Sequence, residues 1–376
     1  MSVSSSVDFE NSRKFHLGEG IFRTILLFSA LVILITLGAI LTILFLSGQH
    51  AFARYGVQFL WLDQWDPVRD VYGAAAPVVG TLASSAIALA IAWPLGFGVA
   101  YFLTESCPRR LRAPLGIAVE LLAAIPSIVY GMWGFFVFAP VMSSAIQPWL
   151  TANAWLFWII VAALVGISLS SMTLATLGRS IFGRIVAGAI LILALAGIVY
   201  LAVNRTDLPV LPSELNPLWW WFQGAPVGVG LLSAGVVLAI MILPFIAATS
   251  RDVLNTTPQL LKEGGYAMGA TRWEVVTGVV IPAVRGSLFG AVFLGLGRAL
   301  GETMAVVFVI GNANRLPDSF FAPTTSISAL IANTFPEAGP DTMLQASLFA
   351  LGFILFVVSF FVLALARLML RQGRMA

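Results

Sequence analysis

Charge is what this sequence has least of. Asp, Glu, Lys and Arg make up 10% of its 376 residues, where a soluble domain carries about 25%. With 59% hydrophobic residues and a mean hydropathy of +0.97, the deficit excludes an ordinary soluble fold and places the chain in a membrane. A net charge of +3 offers no excess of either sign for holding a nucleic acid or an acidic partner. The single cysteine, Cys107, excludes a disulfide framework and a cysteine metal site. The two histidines, His16 and His50, stand too far apart to suggest a metal cluster. Lysine occurs only at Lys14 and Lys262, neither within G-x-x-x-x-G-K-[ST], so the chain has no phosphate-cradling loop of its own. If nucleotide drives it, another subunit binds the nucleotide. No nucleophile, base and metal constellation suggests a membrane-embedded enzyme.

What is abundant is apolar sequence in long runs. The first, Ile25 to Leu46, is long enough to cross a hydrocarbon core of about 30 Å at 1.5 Å per residue. An A-x-A pattern follows at Ala51–Ala53, but the run exceeds the apolar core of a signal peptide, so we expect a retained span. Residues 47–77 are polar and aromatic, with Trp61 and Trp65 suited to interface depth. Further runs predict spans near Val78–Leu103, Leu115–Pro140, Trp155–Leu177, Ile185–Val203, Gly228–Thr249, Val284–Ile310 and Met343–Ala366. That makes about eight spanning helices, with Pro94, Pro126 and Pro244 inside three of them. Membrane helices tolerate proline when neighbours satisfy the freed carbonyl. A short loop is expected over 142–153, and a loop with several Pro and Asn over 311–342.

Lys and Arg in the loops predict the orientation. With both termini in the cytosol, fifteen fall on the cytosolic side and only Arg54, Arg69, Arg205 and Arg315 outside, with Arg298 inside the membrane. An odd number of spans would destroy that asymmetry.

A polar segment over 250–283 runs directly into an apolar helix. In it, Glu263, Gly264 and Gly265, then Gly269, then Val279, Ile281 and Pro282 suit two short helices with a corner at Gly269, where positive φ is cheap, and Pro282 at a helix start. Such an amphipathic element can dock in a partner's groove. Their spacing resembles the EAA loop of the membrane subunits of ATP-binding-cassette importers, with both alanines replaced by glycine. AIPSIVYGMWG at 124–134, MILPFIAATSRDVL at 241–254 and LGLGRALGETMAVVFVIGN at 294–312 resemble the permease subunits of phosphate importers, of the PstC type rather than the PstA type. The resemblance covers roughly 1–141 and 227–370. It implies an all-α integral membrane protein with the type I ABC importer transmembrane fold, in which a six-helix core has gained a pair of helices within 142–226. Residues 1–77 then hold the N-terminus, the first span and a periplasmic segment, and 78–376 the permease core. The implied partners are a second permease of the PstA type, cytosolic ATPase subunits, a periplasmic phosphate-binding protein and the bilayer of a bacterial inner membrane.

Two charges lie deep in the apolar run after the handle. Arg298 is about 14 residues past its start, roughly 20 Å along a helix axis. A charge there costs about 2.5–3.5 kcal/mol and usually faces a bundle interior or an aqueous path. Glu302 follows one turn later on the same face of a continuous helix. One reading is a mutual ion pair that only stabilises the fold, although acid before base is the better order. The other is substrate contact: Arg298 offers a planar donor fork that suits phosphate. Glu302 then positions Arg298 or accepts a hydrogen bond from a protonated phosphate, which sulfate cannot give. Glu120, near a helix end, suits interface hydration. Gly286, Gly290, Gly297 and Gly301 permit close helix packing, and Ser127 and Tyr130 offer hydroxyls beside Pro126. The expected function is the permease of an ATP-driven phosphate importer. The rivals are a permease for sulfate or molybdate, and an ion-gradient-driven transporter, which would need no ATPase.

Overall fold

The computed structural model describes residues 9–152, 221 and 224–372. The two helices expected over 155–177 and 185–203 lie outside the described residues. Helices are numbered here along the described chain. Six described segments are long and apolar enough to cross a membrane. They belong to α1 (Phe9–Tyr55), α2 (Ala75–Tyr101), α4 (Ser127–Leu150), α5 (Leu231–Asn255), the run Arg272–Leu300 and the last helix, Met343–Gln372.

The expected span Leu115–Pro140 is not one helix. Proline disfavours the helical conformation for the residue before it, and the chain breaks at Pro126, whose ψ is 136°. Before the break, α3 (Arg109–Ala123) is a separate amphipathic helix with Arg109, Arg110 and Arg112 at its start. After it, α4 continues through two π-turns and stays helical to Ala152. The loop expected over 142–153 is therefore helix as far as it is described. Tyr130 bridges the break by donating its hydroxyl to the Leu122 carbonyl at 2.9 Å.

α5 is the central element. In its most apolar stretch 67% of residues are buried, against 33% or less in the other five spans. Its first five turns are largely apolar, as suits the most buried of the six. Val237, Leu238, Ile242 and Ile246 pack with Ala88 and Ala92 of α2, with Ala299, and with Ala305 and Val309 further along the chain. Small residues set the spacing: a Cβ on Gly235 would fall 2.5 Å from Ile87 Cγ2, and one on Gly295 2.7 Å from Ile246 Cγ1.

The last helix, α11 (Met343–Gln372), packs against the second half of α1. A Cβ on Gly48 would meet the Ala350 backbone nitrogen at 2.9 Å, so the two backbones nearly touch there. Earlier in α1, Phe22, Ile33 and Leu34 are 63–70% exposed, a surface fit only for lipid or another chain. After α1 comes a small departure from an all-helical chain. Trp65–Asp66 and Val71–Tyr72 pair antiparallel in a hairpin, whose turn is held by Asp66 Oδ1 accepting from Val68 N at 2.9 Å.

Candidate functional site

The charged helix does not run to Ile310 as expected. α8 (Ile281–Leu300) stops at Leu300, and a new helix, α9 (Met304–Val309), starts after Gly301, Glu302 and Thr303. Glycine ends helices readily and threonine begins them, so G-E-T punctuates an otherwise uniform apolar run. Arg298 lies in the last turn of α8, where the helix dipole favours a cation. Glu302 lies in the break and caps α9: its Oε1 accepts from Ala305 N at 3.3 Å. The two side chains are not on one face of one helix, and among the described residues they form no ion pair. The fold-stabilising pair is therefore absent.

Arg298 is exposed in this chain, with its guanidinium carbon 5.9 Å from the ring centre of Phe245 on α5, within cation–π range. Glu302 is half-buried, and its second carboxylate oxygen has no partner among the described residues. The arrangement presents an unpaired donor fork beside a carboxylate that can still accept a hydrogen bond.

The break is held from behind by a residue the sequence did not single out. The loop expected over 311–342 contains a buried helix, α10 (Ile327–Thr334), capped by Ser326. Ser328 donates its hydroxyl to the Glu302 carbonyl at 2.7 Å, satisfying an acceptor that the interrupted helix leaves open. Thr81 of α2 accepts from Ile327 N at 2.9 Å. A Cβ on Gly80 would fall 1.9 Å from the Thr325 carbonyl oxygen, and one on Gly131 of α4 2.9 Å from Ala305 Cα. The break is thus wedged between α2, α4 and α10. S-x-S at 326–328 is a helix-start signal, but nothing in the sequence pairs it with Thr81 or Glu302.

The polar handle forms α6 (Gln259–Ala267) and α7 (Arg272–Val275). Between them Gly269 takes a φ of 82°, a conformation costly for any residue with a Cβ. Thr271 and Glu274 close a capping box on α7. Glu263, Gly264 and Gly269 are exposed and Gly265 is half-buried against Val275. Leu260 and Met268 are 80% and 88% exposed, an apolar face with no cover among the described residues. Pro282 does not follow a loop. α7 passes through a π-turn at Val276–Val280 straight into α8, and Pro282 sits at the start of α8 within that run. The handle and Arg298 thus share one unbroken helical stretch, Arg272–Leu300. Pro282 and Arg298 are about 24 Å apart along it at 1.5 Å per residue.

Three ion pairs among the described residues lie at the same end of the molecule. Arg251 of α5 bonds Glu120 of α3 at 2.7 Å and its neighbour Asp252 at 2.9 Å, so Glu120 anchors a helix rather than merely meeting water. Lys262 of α6 bonds Glu105, just past α2, at 2.5 Å. Of the four glycines expected to serve packing, Gly290 meets nothing within 4 Å and Gly297 only the Leu363 side chain at 3.7 Å. Gly295 of α8, by contrast, is closely packed against Ile246.

Comparison with known proteins supplies the kinship. Residues 185–372 match the family described as binding-protein-dependent transport system inner membrane component. The phosphate transport system permease protein PstC of Mesorhizobium japonicum is 44% identical over 371 residues, 99% of this chain and 95% of that protein. The protein of the same name from Pasteurella multocida is 42% identical, covering 96% of this chain and 94% of its own length. A probable PstC of Methanocaldococcus jannaschii is 31% identical over 90% of this chain and 89% of that one. Coverage of 99% takes in the stretch 142–226, which is therefore shared with that relative. On both counts, the family match and the near full-length identity to PstC permeases, the chain is a multi-pass membrane protein that belongs to the PstC family of binding-protein-dependent transport permeases.

Proposed function

We propose that this chain is one of two permease subunits of an ATP-driven importer of inorganic phosphate in a bacterial inner membrane. The observation that carries the reading is Arg298. It is a guanidinium with no ion pair among the described residues, in the last turn of a helix inside a candidate membrane span, on a helical run that begins in the second half of the handle. A guanidinium left against lipid at that depth costs about 2.5–3.5 kcal/mol, so its exposed face belongs against a second permease of the PstA type or a polar path between the two. There Arg298 grips a phosphate through its planar fork, and Glu302 accepts from the anion's remaining hydroxyl.

The handle, through Glu263, Gly264, Gly265, Gly269 and Pro282, takes up the movement of cytosolic ATPase subunits. The chain itself hydrolyses nothing. A periplasmic phosphate-binding protein delivers the anion to the opposite side, and both termini of this chain lie in the cytosol.

The test is ATPase activity of the reconstituted complex with binding protein loaded with phosphate, sulfate or molybdate, or left empty. Stimulation by the phosphate-loaded protein alone is expected. Equal stimulation by the others would remove phosphate and leave a general oxyanion importer. No recoverable ATPase with intact protein would turn the assignment to the gradient-driven rival.

A further inference from the structure

One of the four ion pairs among the described residues stands apart. Arg69–Asp66, Arg251–Glu120 and Arg251–Asp252 each include a side chain at least 55% exposed. Lys262 and Glu105 are 20% and 13% exposed, with Nζ 2.5 Å from Oε1. Removing two charges from water is costly unless each keeps its partner. The pair therefore holds α6 against the end of α2, although 157 residues separate the two in sequence. Beside it the Tyr101 and Trp273 rings meet edge-on at 6.2 Å. At its other end α2 carries Thr81, bonded to α10, and Ser328 of α10 holds the Glu302 carbonyl. The handle thus reaches the break by two routes. One is covalent, through α8 and its π-turn. The other is through α2, which this pair joins to α6 while Tyr101 and Ala100 pack on the α7 side.

We propose that Glu105 and Lys262 are positioning residues for coupled transport. Their ion pair is the clasp through which movement of the handle enters α2 and, through α10, the break at Glu302. The inference rests on the reading of the handle as the element that docks the ATPase.

The experiment uses the full complex in proteoliposomes and measures phosphate moved per ATP hydrolysed for E105K, K262E and the swapped double variant. Co-purification of the ATPase subunits is followed in parallel. Each single reversal is expected to lower the ratio about tenfold, within the usual range of coupling between sites, with the ATPase still bound. The swap is expected to return it to within about threefold of the unaltered complex, the behaviour of a direct pair. A purely structural pair would lower the yield of complex and leave the ratio alone, which overturns the proposal. So does a double variant no better than the singles. A loss confined to K262E also overturns it, because Glu105 lies outside the handle and such a loss reports ATPase docking. Where a reversal blocks assembly, E105Q reads the same ratio: a tenfold loss supports the clasp and an unchanged ratio refutes it. An unaltered complex without phosphate-stimulated ATPase would instead defeat the reading of the handle, before any variant is made.

Discussion

In the proposed reading Arg298 and Glu302 have different roles at the break, and their geometries give separable outcomes. Arg298→Ala is expected to leave assembly intact and lower phosphate uptake roughly 100-fold, the loss of two charge-assisted hydrogen bonds at about 1.5 kcal/mol each. Arg298→Lys keeps the charge without the fork, so its uptake should fall between the two. Glu302→Gln keeps an oxygen for Ala305 N, so α9 still forms. Uptake with phosphate and sulfate in competition should then show discrimination reduced by about tenfold. Normal uptake by Arg298→Ala would remove the site. At the far end of the molecule, Tyr72 gives a pH prediction. Burial and the adjacent Asp70 push its phenol up to about 12, so the fold retains a proton that the unfolded chain releases near 10. The stabilisation is complete below about pH 10 and is lost as pH rises through 12. A tyrosinate absorbance titration should therefore show a late ionisation step near 12, and Tyr72→Phe should remove it.

The helices show how far the sequence could be read. Six spans follow from hydropathy alone, because apolar runs of that length have no other use. The interruptions were harder. Pro126 reads as tolerated within a span, whereas the residue before it, Ile125, already argues for a boundary. Gly301 and Thr303 are the right residues to end one helix and begin another, but the apolar sequence on both sides hides them. Nor does composition reveal that α5 is the buried helix, since every span looks equally apolar and only packing distinguishes them. Glu105 and Lys262, like Thr81 and Ile327, meet across sequence distances that no local pattern spans. The corner at Gly269 was legible, because glycine is the residue such a φ requires. The two glycines in place of the EAA alanines have unequal surroundings. Gly264 has nothing within 4 Å of an added Cβ, whereas at Gly265 the Cβ would sit 2.9 Å from Val275 Cγ2. Gly264→Ala should stabilise α6 by about 0.5–1 kcal/mol, seen as roughly three- to fivefold slower amide exchange over 259–267. Gly265→Ala should gain less or lose stability, and Val275→Ala beside it should restore the gain.

The whole molecule has two unlike ends. The end with α3, α6 and α7 carries Arg109, Arg110, Arg112, Lys262 and Arg272, while the hairpin end offers Arg54, Arg69 and Arg315. This charge bias supports a cytosolic handle. With Cys107 replaced by serine, a cysteine at Met268, 88% exposed, should react with an impermeant thiol reagent only from the cytosolic side. One at Val68, 94% exposed, should react only from the periplasmic side. The reverse pattern would invert the proposed direction of transport. Between those ends lies the unbroken run Arg272–Leu300 of 29 residues, a rod of about 43 Å at 1.5 Å per residue. Pivoted at the handle, such a rod turns a tilt of about 5° into roughly 4 Å of travel at the tip that carries Arg298. A hydrogen bond is gone once its atoms separate by about 1 Å more than their ideal distance. If the proposed site holds an anion, leverage of this kind makes a few degrees at the handle enough to close or open the grip at the far end of the rod.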